Sequence, residues 1–138
     1  MAKTDNFRKQ HKDLLGIVGQ ITAVLNPAAV KKDPNGVKQL LSTLAGKITV
    51  HLAMEDEALY PEILAKGSPQ AKQTAQAFMK EMGSIKTVFT GYVGKWSTPD
   101  VIGTHAEDFC HETKQLFSAL GNRISREDNE LYPLYDKT

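Results

Sequence analysis

Several features that would narrow the class of protein are scarce in this chain of 138 residues. Its single cysteine, Cys110, excludes an internal disulfide, suits a reducing compartment, and is expected to be an inert residue of the core or its boundary. The formal net charge is +1 and the basic residues are dispersed, which argues against a nucleic-acid partner. No apolar run approaches the length of a membrane span, and the first residues lack the apolar stretch of a signal peptide. We therefore predict a cytoplasmic protein that binds neither nucleic acid nor membrane.

Sequence signatures of catalysis are missing as well. The chain contains no nucleophile constellation, no Gly-rich phosphate loop and no zinc-finger spacing. Because no acid–base pair with an assignable task is present either, we expect that the protein is not an enzyme. Hydrophobic residues make up 41% and charged residues 24%, an ordinary globular balance, and the length suits one domain over 1–138.

What the chain does contain is helical periodicity, with apolar residues every three or four positions and capping residues between the periodic segments. Thr4, Ser68 and Thr98 are predicted N-caps, the last two each followed by proline. We predict a loop over 26–36 and a possible break near Gly103. The four predicted helices cover 4–25, 37–65, 68–94 and 98–134. Because the links are short, the helices should form an all-α, up-down antiparallel four-helix bundle.

The chain also contains an internal duplication. Residues 55–61 (EDEALYP) match residues 127–133 (EDNELYP) at an offset of 72, and an offset of 71 aligns the apolar stripes of the first and third helices. The sequence therefore predicts two helical hairpins that pack with approximate two-fold symmetry.

Polar residues interrupt the apolar stripes at positions that the duplication relates. His11 lies in the stripe of the first helix, and His51 and Glu55 lie one turn apart in the second, where side chains four residues apart reach one point. Glu127 repeats Glu55, whereas Arg123 stands where the repeat places His51. Two core carboxylates with two histidines nearby would suit iron, manganese or zinc in a bundle.

With His11, the segment HLAMEDEALYP from His51 and the segment REDNELYP from Arg126, the chain resembles the hemerythrin-like (HHE) family over essentially its whole length. The resemblance implies an up-down bundle that holds a non-haem di-iron centre. It also implies a role in oxygen binding, iron handling, or the sensing of oxygen, nitric oxide or redox state, with a metal ion and a small diatomic molecule as partners. The ligands that it implies are His11, His51, Glu55 and Glu127.

Two ligand positions of that family are not met. Met82 stands where the third helix is expected to contribute a histidine, and Arg123 where the last helix is. A thioether is poorly matched to an oxygen-rich iron site, and a guanidinium stays protonated and has no lone pair for a metal. We therefore predict an altered centre, mononuclear or weakly binding, for which Arg123 would have to turn towards solvent. The alternative is a metal-free interaction or structural module in which Arg123, together with one protonated histidine, neutralises Glu55 and Glu127.

Other residues receive less specific interpretations. A third, weaker possibility is non-covalent haem, with Met82 and one of the two stripe histidines as axial ligands. Otherwise Met82 fills the core. His105 and His111 are expected at the surface or at the end of the bundle. Tyr60 and Tyr132 are expected to pack near the bundle end, where a hydroxyl could donate to a metal ligand.

Overall fold

The computed structural model describes residues 2–137, and the regular structure within that range is helical throughout. Two π-helical turns interrupt otherwise α-helical stretches, at Glu55–Leu59 and Glu127–Leu131. The α-helices are α1 (Asp5–Ala23), α2 (Pro27–Lys32), α3 (Pro34–Met54), α4 (Tyr60–Lys66), α5 (Pro69–Met82), α6 (Ile85–Lys95), α7 (Pro99–Thr104), α8 (Ala106–Arg126) and α9 (Tyr132–Asp136). The all-α prediction is confirmed.

The segment 26–36, predicted to be a loop, is largely helical. Asn26 Oδ1 accepts the backbone N–H of Ala29 and caps α2, and Asp33 Oδ1 accepts that of Gly36 and caps α3. Each cap is followed by a proline, which suits a first helical position because no intrahelical N–H bond is needed there. The loop prediction is therefore wrong, because Asn-Pro and Asp-Pro start helices here rather than only ending them.

The third and fourth predicted helices are each broken once. Residues 83–84 separate α5 from α6, a break that the sequence did not indicate. His105 separates α7 from α8, close to the break expected near Gly103. Ser68 and Thr98 cap α5 and α7 as predicted, since their side chains accept backbone N–H groups of the first turn.

Thr4 begins the first helix but uses its side chain for a different contact. Its hydroxyl donates to the Asp136 carboxylate at 2.8 Å, and its backbone N–H donates to the same group at 3.1 Å. Arg8 lies 3.6 Å from Asp136 as well. The last turn of the chain is thereby held against the start of α1.

Contacts between side chains show how helix α1 runs relative to α3 and to the stretch α8–α9. In two sets of contacts the residue numbers rise along one helix as they fall along the other: Asp13–Lys47 with Gln10–His51, and Thr4–Asp136 with His11–Asp128. Helix α1 therefore runs antiparallel to α3 and to the stretch α8–α9. The up-down order of a complete four-helix bundle stays a prediction.

The buried interior is apolar along most of its length, and its polar side chains are concentrated in one place. Seven buried side chains among residues 2–137 are polar or charged, and five of these lie together. These five are His11, His51, Glu55, Arg123 and Glu127. Because burying an unpaired charge is costly, a cluster of this kind requires compensating contacts or a bound ion. Across the same residues, no helix has both the length and the apolar character needed to cross a bilayer.

Candidate metal centre

Both copies of the duplicated segment form a π turn, and each turn begins at a glutamate. In Glu55–Leu59 and Glu127–Leu131, the N–H of the tyrosine that follows the turn donates to the carbonyl of the glutamate five residues earlier. Pro61 and Pro133 come next. A proline inside an α-helix lacks the N–H and clashes with the carbonyl four residues earlier, which a wider turn relieves. The repeated Leu-Tyr-Pro motif thus accounts for a π turn beside each predicted glutamate ligand.

The structure brings the four predicted ligands together. One nitrogen or carboxylate oxygen from each of His11, His51, Glu55 and Glu127 lies within 4.8 Å of the others, and all four side chains are buried. They come from α1, the last turn of α3 and the starts of the two π turns. A buried group of two imidazoles and two carboxylates could hold a metal ion.

Two inward-facing atoms of this group lack hydrogen bonds. His51 Nε2 lies 3.0 Å from Glu55 Oε1, and Glu127 Oε1 lies 3.2 Å from His11 Nε2. Neither contact has hydrogen-bond geometry, so within residues 2–137 both His51 Nε2 and Glu127 Oε1 are buried without a partner. Buried polar atoms almost always have one. A cation between these atoms would satisfy both, so the residues present fit a metal ion.

The outer nitrogen of each histidine is held by an acceptor. His11 Nδ1 lies 2.8 Å from Asp128 Oδ1, and His51 Nδ1 lies 2.5 Å from Gln10 Oε1. Because a carboxylate and an amide oxygen only accept, Nδ1 is the donor in both rings, and Nε2 bears the lone pair towards the cluster whenever the ring is neutral. Metal-binding histidines are commonly oriented in this way.

Arg123 lies inside the cluster. It is 2% exposed, and its Nε lies 3.2 Å from Glu127 Oε2. Its Nη2 lies 2.7 Å from Asp56 Oδ1 and 3.4 Å from Glu55 Oε1, while Nη1 donates to the carbonyl of Met82 at 3.4 Å. The condition set for a mononuclear site, that Arg123 turns towards solvent, is therefore not met. Three carboxylates attract the guanidinium inward, and the predicted contacts with both glutamates are present.

The two tyrosines cross between the repeats. Tyr60 OH donates to Glu127 Oε2 at 2.6 Å, and Tyr132 OH donates to Glu55 Oε2. The tyrosine of one copy thus supports the glutamate of the other copy. Burial raises the pKa of both hydroxyls above the ordinary value, so both remain donors at neutral pH. Tyr132 also stacks on the imidazole of His11, with ring centroids 5.4 Å apart.

Burial and mutual contact set the charges of the cluster. Burial raises the pKa of Glu55, and the neighbouring Glu127 carboxylate raises it further. Burial also opposes ionisation of Glu127, but the adjacent His11 and Glu55 side chains, the charge of Arg123 and the hydrogen bond from Tyr60 lower its pKa to about 2. Burial and then the charge of His11 lower the pKa of His51 to about 4. Burial lowers the pKa of His11, but its contacts with the two glutamates raise it above the ordinary value overall. At neutral pH His51 therefore offers a free lone pair, and Glu127 a negative charge.

Some residues singled out in the sequence lie away from this cluster or fill the core around it. His105 and His111 are exposed, as expected, although the helix does break at His105. Met82 is buried, and its sulfur accepts from Asn122 Nδ2 at 3.6 Å. Cys110 is buried, and burial raises the pKa of its thiol. The haem alternative, with Met82 and one of the two histidines as axial ligands, stays a prediction.

Sequence reasoning missed three residues that touch the cluster. Asp56 and Asp128 follow the two glutamates directly, at equivalent positions of the duplicated segment, so the repeat itself was a usable signal. Gln10 carried no comparable signal, because a glutamine beside a histidine on a helix is ordinary. Its role depends on how α1 packs against α3.

A family model for the hemerythrin HHE cation binding domain matches residues 2–135. The chain belongs to this family. The match covers almost the whole chain and confirms the resemblance that His11 and the two Leu-Tyr-Pro segments indicated. Neither a curated protein nor a solved structure matches the chain significantly. Membership of the HHE family suggests that a metal ion binds, and the buried histidine–glutamate cluster is the candidate location.

Proposed function

We propose that this HHE domain binds a single non-haem iron ion through His11, His51, Glu55 and Glu127, and that it senses oxygen, nitric oxide, iron or redox state rather than catalysing a reaction. The observation that carries the proposal is the pair of buried atoms, His51 Nε2 and Glu127 Oε1, that have no hydrogen-bond partner within the described chain. Imidazole nitrogens and carboxylate oxygens are suitable ligands for iron. Bound iron would supply one-electron redox chemistry and an affinity for small diatomic molecules.

Arg123 supports the proposed stoichiometry of one metal. Its Nε contacts Glu127 Oε2 and leaves Glu127 Oε1 without a partner within residues 2–137, so one ion could bind at Oε1 although Arg123 stays inward. Its Nη2 contacts Glu55 Oε1, the oxygen that also faces His51 Nε2. A fixed positive charge at this place repels a second cation and neutralises carboxylate charge that a second metal would otherwise balance. The core residue Met82, in place of a further histidine, gives no ligand suited to iron on that side.

The surrounding side chains have defined tasks in this proposal. Asp128 and Gln10 orient the two imidazoles through Nδ1, so that Nε2 of each ring faces the ion. Tyr60 and Tyr132 hold the outer oxygens of the glutamates. The chain thus prepares a buried site before the ion arrives, and the apolar core around it excludes water.

A metal-free structural or interaction module is the second candidate function. It is favoured by the contacts of Arg123 with Glu55, Glu127 and Asp56, which already balance much of the carboxylate charge. In that case the histidine–glutamate cluster would be a remnant of a metal site, and the domain would act through its surface.

Elemental analysis of protein purified without chelator, with an absorption spectrum, distinguishes these candidates. We expect at most about one iron per chain and no oxo-bridge band. His11→Ala should lose the iron, whereas His105→Ala, at an exposed histidine, should retain it. Two irons per chain with an oxo-type band would refute the role given to Arg123. A value near zero that persists after reconstitution with ferrous iron would favour the metal-free module.

A further inference from the structure

A groove of about 310 Å³ lies between α1 and α3 and reaches the edge of the proposed metal site. His51 forms its inner end, and Leu14 and Val50 contribute apolar walls. His11, Glu55 and Glu127 do not line this groove. His51 is therefore the ligand through which the groove meets the buried cluster.

Gly46 lines this groove and leaves the space beside its backbone without a side chain. A Cβ atom added at this residue would meet no other atom within 4 Å, so the space beside it is free. A glycine in the middle of a helix such as α3 costs about 1 kcal/mol relative to alanine. The glycine therefore lowers the stability of the helix slightly while leaving this space unfilled.

The imidazole that closes the inner end of the groove is held by a residue of the groove itself. Gln10 Oε1 accepts from His51 Nδ1 at 2.5 Å, and Gln10 is partly exposed. Behind the ring lies Glu55 Oε1, 3.0 Å from His51 Nε2. Breaking the bond to Gln10 would let the ring rotate towards the groove and uncover that carboxylate oxygen.

A second groove lies elsewhere on the molecule. That groove, between α6 and α8, is lined by Tyr92, Lys95, Glu112 and neighbouring residues, and it reaches neither Arg123 nor the two glutamates. Of these two grooves, the one between α1 and α3 is lined by a residue of the cluster, His51.

We propose that the groove between α1 and α3 is the route by which a divalent metal ion reaches the buried cluster. His51 is the first ligand that the ion meets. The hydrogen bond from His51 Nδ1 to Gln10, called the latch here, holds this imidazole across the inner end of the groove. At the mouth, Asp13 and Lys47 lie 3.8 Å apart, so their charges largely cancel and the ion meets no net repulsion. The inference rests on the proposed function, since it concerns the rate at which that site fills.

The test is the kinetics of Co²⁺ binding to the full chain, followed by the visible absorption of the bound ion, with dissociation started by excess EDTA. Gly46→Leu fills the groove without touching the ligands. We expect association and dissociation rates to fall together by about tenfold or more, with the dissociation constant unchanged, because the ion must wait for a rarer opening. Gly91→Leu is the matched control, since Gly91 lies in the other groove and also has no atom within 4 Å of an added Cβ.

A second variant tests the latch. Gln10→Ala removes the acceptor of His51 Nδ1, and both rates should rise relative to the wild type. Wild-type rates in Gly46→Leu, or equal slowing in Gly91→Leu, would overturn the access route while leaving the metal site in place. Slower exchange in Gln10→Ala would overturn the latch. If the wild type binds neither Co²⁺ nor ferrous iron at equilibrium, the proposed function fails, and the access route fails with it.

Discussion

Replacing Arg123 by methionine tests whether the guanidinium takes the place of a second cation. Methionine keeps a long, flexible, apolar stem but removes the charge. The substitution deletes contacts of 3.4 Å to Glu55, 3.2 Å to Glu127 and 2.7 Å to Asp56. Both glutamates are fully buried, so water cannot replace what they lose.

The expected loss of stability in Arg123→Met follows from the burial of Glu55 and Glu127. Removing one partner of a buried ion pair costs about 3–5 kcal/mol, because a buried charge is left unpaired. Glu127, whose pKa is lowered to about 2, remains charged, whereas Glu55, whose pKa is raised, can take up a proton and soften the loss. We therefore expect the lower half of that range in metal-free protein. At roughly 3 °C per kcal/mol, the Tm should fall by about 9–12 °C.

Urea unfolding followed by circular dichroism measures this loss, in EDTA and again with excess Co²⁺. In Arg123→Met a bound ion supplies the missing charge, so the metal should restore more stability to the variant than it adds to the wild type. Arg126→Met is the control, because Arg126 lies on the same helix but pairs with the exposed side chains of Glu81 and Glu130. Such surface pairs contribute about 0–1 kcal/mol. An Arg123→Met variant that unfolds at the wild-type urea concentration in EDTA would refute the reasoning.

Three further predictions concern the same cluster. Arg123→His removes the fixed charge and adds a ligand, so calorimetric titration should show metal affinity raised by about tenfold or more, and unchanged affinity would count against the role of Arg123. Tyr132→Phe removes the donor to Glu55 Oε2 and should cost about 1–3 kcal/mol in urea unfolding; a loss below about 0.5 kcal/mol would show that this bond matters little. The pKa of His51 is lowered to about 4 in the folded, metal-free protein, whereas in the unfolded chain it has its ordinary value of about 6.5. In EDTA, His51 of the unfolded chain therefore takes up a proton as the pH falls below about 6.5, before His51 of the folded chain does, and this favours unfolding. Between these values the wild type should lose stability on acidification more steeply than His51→Gln, by at most about 1.4 kcal/mol per pH unit, and parallel curves would contradict the assigned shift.

Local regularities in the sequence were sufficient to place the four candidate ligands on buried helix faces. Helical periodicity determined which face of each segment is buried, and the spacing of His51 and Glu55 placed both on one face. The duplication then carried Glu55 onto Glu127, and His11 followed from its place in the first apolar stripe. All four side chains are buried and adjacent in the structure. These are short-range properties, which a helix determines within a few residues.

The helix boundaries were less predictable, because the same residue pairs can begin or end a helix. Asn26-Pro27 and Asp33-Pro34 were interpreted as a loop, yet both start helices through side-chain caps. The proline after each Leu-Tyr pair indicated a local irregularity, but not that it would be a π turn beginning at the glutamate. Whether a helix begins, ends or forms a π turn at such a proline depends on the balance of side-chain capping, the clash of the proline ring and helix packing.

Tertiary structure alone decided the direction of Arg123 and the partners of the tyrosines. A long side chain on a helix can turn to solvent or inward. Arg123 turns inward because it contacts Asp56 and Glu55, which lie 67 and 68 residues away on the other repeat. Tyr60 and Tyr132 reach glutamates 67 and 77 residues away. Periodicity carries no information about such contacts, because they depend on the register between helices. The sequence by itself indicated which ligand candidates meet in the core, and the packing of the helices determined which of their atoms are paired and which two have no hydrogen-bond partner within residues 2–137.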